Sequence, residues 1–311
     1  MSRSNLVVVR ASDRSMHPLW LATGATRNWD LIVLYCGSDP ERYPASGEGM
    51  VRIDGQGPKW PAVHRLLAGT GDAWQGYQNI WLPDDDLIAS CADINRMFDL
   101  MSALALQLVQ PSLSWGSRVE FPLTLHNRNF AVRYSNYIDP AAPAFCRALL
   151  ERALPAMADP RPGAERGFAW PALLADAPRQ CAILDRVQVT RCGGVDASDA
   201  AICAPTQGAA ARVEAPAGCA AALAVSYGGL DRDGHLTTLF GERGEGYIYA
   251  LCAGYLGLPA PHDEAISRLF TEHESARREF QRRGPARASG AAGAIASSRP
   301  PEAPRDAALK I

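Results

Sequence analysis

The sequence predicts an α/β protein: a doubly wound, mostly parallel sheet with helices on both faces, followed by a small C-terminal α+β appendage. Three observations predict it. Apolar runs such as Leu6-Val7-Val8-Val9 and Leu31-Ile32-Val33-Leu34 show no polar alternation, so both faces of those strands must be covered, as in a parallel sheet. Helical stripes fall between such runs through residue 160, the order that builds parallel crossovers. A third run, Ile80-Trp81-Leu82, stops at Pro83 and three consecutive carboxylates, Asp84, Asp85 and Asp86. Proline cannot donate to a sheet ladder, so the acids belong at a strand's carboxyl end, where open α/β sheets bind ligands.

Taken in order, residues 5–9 form the first strand. The polar loop 10–15 after it holds candidate nucleotide contacts: Asp13 for a base or ribose, Arg10 or Arg14 for a phosphate. A loop of merely solvated charges is the alternative. His17-Pro18-Leu19-Trp20 leads into a helix, residues 29–36 are a second strand, and Gly37-Ser38-Asp39-Pro40 ends it by turn chemistry. Residues 50–53 are a short third strand. In residues 54–61, glycines permit close backbone approach and Lys59 offers a point charge to a diphosphate, or is simply a surface lysine beside a core tryptophan. A helix over 61–67 places Val63, Leu66 and Leu67 on one face.

After the acidic triplet, Ser90-Cys91-Ala92-Asp93 has capping-box character, and Ile94, Met97, Phe98, Met101, Leu104 and Leu108 recur at helical spacing. Residues 109–114 and 130–138 are extended, the second segment ending at Asp139-Pro140. The stripe Phe145, Leu149, Leu154 predicts a helix over 144–157, and Cys181 to Asp185, with Val187 and Val189 beyond, predicts another strand. Residues 192–218 turn to alanine, glycine and small polar residues, which predicts a connection of low stability. Residues 227–234 are turn-rich; a calcium loop on Asp231 and Asp233 lacks the required glycine spacing and closing glutamate. Helices over 247–256 and 263–283 finish the fold. The expected organisation is a main domain over 1–194, an appendage over 195–283 and a disordered tail over 284–311.

Composition narrows the function classes. The 311 residues carry 31 basic against 33 acidic side chains, a balance that points to no nucleic-acid or membrane-surface partner. The chain begins without a signal peptide and holds no membrane span, so a cytoplasmic protein is expected. Its eight cysteines lack CxxC spacing, which argues against structural zinc. No GxSxG, Walker A, HExxH or post-strand GxGxxG motif is present, so those hydrolase, NTPase, zincin and dehydrogenase signatures are missing.

The triplet is the strongest chemical signal. Two unit charges about 4 Å apart repel by roughly 1 kcal/mol in water and roughly 4 kcal/mol at an effective dielectric near 20. Three adjacent acids are therefore cheap in a solvated turn and costly in a cleft without a cation; their hard oxygens suit Mg²⁺ or Mn²⁺.

Leu19-Trp20, residues 55–60 with their Lys-Trp pair, the acidic segment 81–87 and Gln110-Pro111-Ser112 together resemble a family whose plant members carry the label lysine-ketoglutarate reductase trans-splicing related. The resemblance runs from about Asn5 to Gly194. The family looks like a branch of the GT-A nucleotide-diphospho-sugar transferases. It implies a GT-A-like sheet in which Asp84 and Asp86 are the two acids of an Asp-x-Asp metal motif, Asp85 the residue between them, and Mn²⁺ or Mg²⁺ the bridge to the donor's diphosphate. The implied partners are a nucleotide-sugar donor and an unspecified acceptor. Asp139 falls near the position of an acid in relatives. Where relatives carry an aspartate before Trp-Pro as a candidate catalytic base, this chain has Arg166-Gly167-Phe168-Ala169-Trp170-Pro171, with Glu165 the nearby carboxylate, so the resemblance leaves Asp139 and Glu165 as the candidate catalytic bases. Where relatives place a histidine, this chain has Thr190-Arg191-Cys192, so that Arg191 holds a phosphate instead of a metal, or the site is degenerate. The implied activity is glycosyl transfer; the alternative is a non-catalytic carbohydrate- or nucleotide-binding protein on the same scaffold.

Overall fold

The computed structural model describes residues 3–22, 25–159, 165–192, 223–240, 243–256 and 263–283. The strands in chain order are β1 (Asn5–Ala11), β2 (Trp29–Tyr35), β3 (Ser46–Gly47), β4 (Met50–Asp54), β5 (Asn79–Trp81) and β6 (Leu87–Ile88). They continue with β7 (Leu108–Leu113), β8 (Phe130–Ser135), β9 (Ala144–Cys146), β10 (Cys181–Arg191), β11 (Ser226–Asp231) and β12 (Leu236–Thr238). The helices are α1 (His17–Leu21), α2 (Lys59–Gly69), α3 (Cys91–Ala103), α4 (Arg147–Ala153), α5 (Glu165–Ala169), α6 (Ala177–Gln180), α7 (Gly244–Ala253) and α8 (Asp263–Arg283).

The expected α/β class is what the chain has. One large sheet runs β12-β11-β8-β10-β7-β9-β5-β1-β2-β4-β3, with β6 attached to β10. Parallel pairing joins β4, β2, β1 and β5 on one side and β7 with β10 on the other. The short β9 runs antiparallel between β5 and β7 and joins the two parallel blocks.

Both faces of the parallel block are covered, as the unbroken apolar runs require. Val7, Val9 and Ala11 of β1 pack into a cluster with Trp20, Trp81 and the α3 residues Ile94, Met97 and Phe98. The alternate residues Leu6 and Val8 pack on the other face against Trp60, Val63 and Leu67 of α2 and Leu149 of α4. No helix among the described residues is long and apolar enough to cross a membrane.

Two segments differ from expectation. The helix expected over 144–157 begins only at Arg147, because residues 144–146 are drawn into the sheet between β5 and β7. Phe145 keeps its burial but as a strand residue, so tertiary pairing overrides the helical stripe. The turn-rich segment 227–234 instead contributes β11, antiparallel to β8. Its glycines serve close approach: a Cβ on Gly228 would lie 2.5 Å from the Thr237 carbonyl, and one on Gly229 2.7 Å from that of Val132. The turn that follows is held by Asp231 Oδ1, which accepts from the N–H groups of Asp233 and His235.

The C-terminal part shares the main core. β11 extends the central sheet, and Tyr247, Ile248, Leu251, Tyr255 and Leu269 belong to the same apolar cluster as Val7 and Phe98. The connection expected over 192–218 lies, beyond Cys192, outside the described residues, as does the tail expected over 284–311.

Candidate functional site

The acidic triplet follows β5 directly and is tied to two other segments. The backbone N–H groups of Leu82 and Asp84 donate to the carbonyls of Pro143 and Ala141, at 2.9 and 2.6 Å. The loop carrying Asp139 is thereby laid alongside the acids. Beyond the triplet, β6 pairs antiparallel with the end of β10, placing Leu87 opposite Arg191, and Cys192 N–H donates to the Asp86 carbonyl at 3.0 Å. This long-range pairing delivers Arg191 to the carboxylates.

A continuous ion-pair chain results. Lys59 Nζ, at the first position of α2, lies 2.6 Å from Asp84 Oδ1 and donates to the Pro140 carbonyl at 3.0 Å. Arg191 Nη2 lies 3.1 Å from Asp84 Oδ2, and Arg191 Nε lies 3.3 Å from Asp86 Oδ2. Asp86 Oδ1 is buried and, among the described residues, has no hydrogen-bond partner. Lys59 also sits 4.5 Å from the centre of the Trp60 ring, a cation–π contact.

Asp139 is buried at the same site. Its N–H donates to Gln110 Oε1 at 2.6 Å, its Oδ1 accepts from Ala141 N–H at 2.9 Å, and its Oδ2 is buried without a partner among the described residues. The α5 segment buttresses this loop, the Gly167 carbonyl accepting from Ile138 N–H at 3.0 Å. A Cβ on Gly167 would come within 2.4 Å of the Ile138 carbonyl, so the approach requires glycine.

The electrostatics follow from burial. Desolvation raises the proton affinity of Asp86, against the pull of Arg191, and raises that of Asp139 against Arg191 and Lys59. Half-buried Glu120 is raised too, by burial and then by Asp139. Burial lowers the proton affinity of Lys59 despite Asp84. For Arg191, burial disfavours the charge, but Asp139, Asp86 and Asp84 together outweigh it and hold the guanidinium more firmly protonated.

The other sequence candidates fall elsewhere. Asp85 turns away from the chain of ion pairs: its Oδ2 accepts from both the N–H and the hydroxyl of Ser12 at 2.7 Å, and its carbonyl accepts from Met16 N–H. It fastens the first-strand loop to the triplet. Asp13 is engaged in holding the loop after β2, bonded to the Tyr35 hydroxyl and to the N–H and hydroxyl of Ser38. That engagement, the Tyr35 bond foremost, lowers its carboxyl to about 2 and leaves it a structural brace. Glu165 is exposed on the first turn of α5, and among the described residues no hydrogen bond or ion pair joins it to the cluster. Arg10 follows Leu6 and Val8 on the α2 face by strand alternation; its Nε is buried without a partner among the described residues. Gln110, Glu120 and Ser12 are the residues that sequence reasoning missed as site components; Gln110 stood inside a quoted motif and Ser12 inside the polar loop 10–15, while Glu120 stood in neither.

The donor chemistry of Asp84 and Asp86 is of the kind a divalent ion takes. One guanidinium touches both Asp84 and Asp86, so the two carboxylates share one cationic partner, and Asp86 Oδ1 is buried without a partner among the described residues. The all-oxygen set is hard, and no third acidic, histidine or cysteine ligand group among the described residues gathers there. Two carboxylates completed by phosphate and water oxygens is the usual manner of Mg²⁺ binding. The described group whose three ligand atoms lie within 4.8 Å of one another is Asp231, Asp233 and His235, on the β11–β12 turn, where Asp231 already serves the turn's own N–H groups.

No protein-family model matches the sequence, and no curated protein matches it. Among solved structures, one neighbour is S. aureus TarS 1-349, with a TM-score of 0.43 at 12% identity, covering 61% of this chain and 60% of that one. The chain thus spans about 60% of that structure.

Proposed function

We propose that this chain transfers a sugar from a nucleotide-diphospho-sugar to an acceptor hydroxyl, with Mg²⁺ or Mn²⁺ held by Asp84 and Asp86. The observation that carries the reading is convergence. Residues from β5's end, α2, β10's end and the loop after β8 bring Asp84, Asp86, Lys59, Arg191 and Asp139 together at the carboxyl edge of parallel strands.

A divalent ion at Asp84 and Asp86 would neutralise charge developing on the departing diphosphate. The protein's own groups supply the rest. Lys59 and Arg191 offer an ammonium point charge and a planar fork, the two kinds of donor that phosphate oxygens recruit. Asp139, with its proton affinity raised by burial and its Oδ2 without a partner among the described residues, accepts the proton from the acceptor hydroxyl. The acceptor oxygen bonds the anomeric carbon as the carbon–oxygen bond to the diphosphate breaks, and the nucleoside diphosphate leaves.

One observation favours a protein that binds the donor without turning it over: Glu165 is exposed, which removes one of the two candidate bases. Asp139 separates the readings. The test incubates uridine, guanosine and cytidine diphospho-sugars with the protein and Mn²⁺ and follows nucleoside diphosphate release. Release that Asp139→Asn abolishes supports transfer; binding of a donor without release supports the non-catalytic reading.

A further inference from the structure

We infer that Arg191 is an exchangeable counter-ion: it bridges Asp84 and Asp86 when no divalent ion is bound, and moves from them to the donor's diphosphate when one binds. This deepens the reading proposed above and rests on it.

The geometry sets up the exchange. Arg191 holds Asp84 Oδ2 and Asp86 Oδ2, and a divalent ion held by these two acids would compete with the guanidinium for their charge. Placing an ion beside a guanidinium held against those acids also sets cation against cation. Asp84 keeps Lys59 on its other oxygen, so the acid remains anchored while its second oxygen changes partner.

The backbone can stay still. Arg191 N–H donates to Ser117 Oγ at 2.9 Å, and Cys192 N–H to the Asp86 carbonyl at 3.0 Å, which pins the chain on both sides of the side chain that must move. The exchange would need only rotation about the side-chain bonds of one partly exposed arginine. Its departure frees Asp86 Oδ2, beside an Oδ1 that is buried and already without a partner among the described residues.

The exchange couples the two ligands. An ion arriving alone must displace a guanidinium that loses two of its three carboxylate neighbours and keeps only Asp139. An ion arriving with a diphosphate hands the guanidinium a bidentate partner. Divalent ion and diphosphate therefore strengthen each other's binding, reciprocally, through one side chain.

The test uses opposite signs. Mn²⁺ alone is titrated into wild type, Arg191→Met, Arg191→Lys and Asp86→Asn, following free Mn²⁺ by its paramagnetic resonance; inorganic pyrophosphate is then titrated in the presence of Mn²⁺. Loss of one charge-assisted contact corresponds to about a tenfold change. Arg191→Met is expected to bind Mn²⁺ alone about tenfold tighter and pyrophosphate about tenfold weaker, with Arg191→Lys between it and wild type and Asp86→Asn losing Mn²⁺. If Arg191→Met fails to fold, Arg191→Lys carries the comparison with the same signs. Unchanged or weaker Mn²⁺ binding in the folded arginine variants overturns the exchange. So does Mn²⁺ binding by neither wild type nor variants, even if a nucleotide-sugar still binds and the donor reading stands. Failure to bind Mn²⁺, pyrophosphate or any nucleotide-sugar overturns both.

Discussion

Gln110 Oε1 accepts a 2.6 Å hydrogen bond from the backbone N–H of Asp139, a fully buried side chain from a central strand holding the turn that presents a buried acid. Gln110→Leu leaves that N–H unsatisfied, at a cost of about 1–3 kcal/mol. The same change loosens the placement of Asp139, so donor turnover is expected to fall more than tenfold, while Mn²⁺ binding at Asp84 and Asp86 stays near wild type. Urea denaturation and a Mn²⁺ titration check the two halves separately. Loss of Mn²⁺ binding would contradict this division of roles.

The Asp85 carboxylate holds two donors of Ser12, one from the backbone and one from the side chain. Hydrogen bonds to a charged group contribute about 1.5–3 kcal/mol each, reduced where solvent reaches them, so Asp85→Ala is expected to destabilise by about 1–3 kcal/mol. Ser12→Ala removes only the hydroxyl half and is expected to cost less. Amide exchange in the loop after β1 should accelerate in both variants, more in Asp85→Ala. Equal effects, or none, would contradict the latch.

Arg133 and Asp185, both fully buried in side chain, form a forked pair with contacts of 2.6 and 2.9 Å. Arg133 also donates to the carbonyls of Leu123 and Leu125 and to the Tyr255 hydroxyl. The pair therefore fastens β8 and β10 to the C-terminal part of the chain. Arg133→Met strands a buried carboxylate and is expected to cost about 3–5 kcal/mol in urea denaturation. Arg133→Met combined with Asp185→Asn should recover part of that loss; a double variant worse than the sum of the singles would contradict the pairing.

Two histidines set a pH dependence. Burial lowers His17 and His273 to about 4 each, from an ordinary value near 6.5. His273 Nε2 accepts from Ser226 N–H at 2.9 Å, so a proton there would face a donor. Between those two values the unfolded chain binds more protons than the folded one, so stability falls as pH drops through this window, by up to about 1.4 kcal/mol per pH unit for each histidine. Asp86 and Asp139, raised by burial, work the other way as they take up protons, and reduce the net loss. Denaturation midpoints at about pH 7, 6 and 5 are expected to fall in that order; a constant or rising midpoint would contradict the assignment.

The legible parts of the site were local ones. Pro83 after Ile80-Trp81-Leu82 marks a strand end whatever surrounds it, and Lys59 beside Trp60 could be singled out by type. That Asp84 and Asp86 rather than Asp85 are the paired acids came from the resemblance alone; the local pattern does not encode it, because Asp85 is held by Ser12, 73 positions away. Arg191 meets Asp86 across 105 positions through the β6–β10 pairing, a contact no local pattern encodes. Residues 144–146 looked helical because Phe145, Leu149 and Leu154 share a helical period, and only the gap between β5 and β7 makes them a strand. Arg133 and Asp185 did leave a signal: each directly follows an apolar run, Phe130-Ala131-Val132 and Cys181-Ala182-Ile183-Leu184, where a charge calls for a buried partner.

The most direct measurement is calorimetric titration of uridine, guanosine and cytidine diphospho-sugars into the full chain with Mn²⁺, repeated with Asp86→Asn. The account predicts that at least one donor binds wild type and that Asp86→Asn, with its thermal unfolding unchanged, weakens that binding at least tenfold. Absence of binding by every donor, or equal binding by the two proteins, would contradict it.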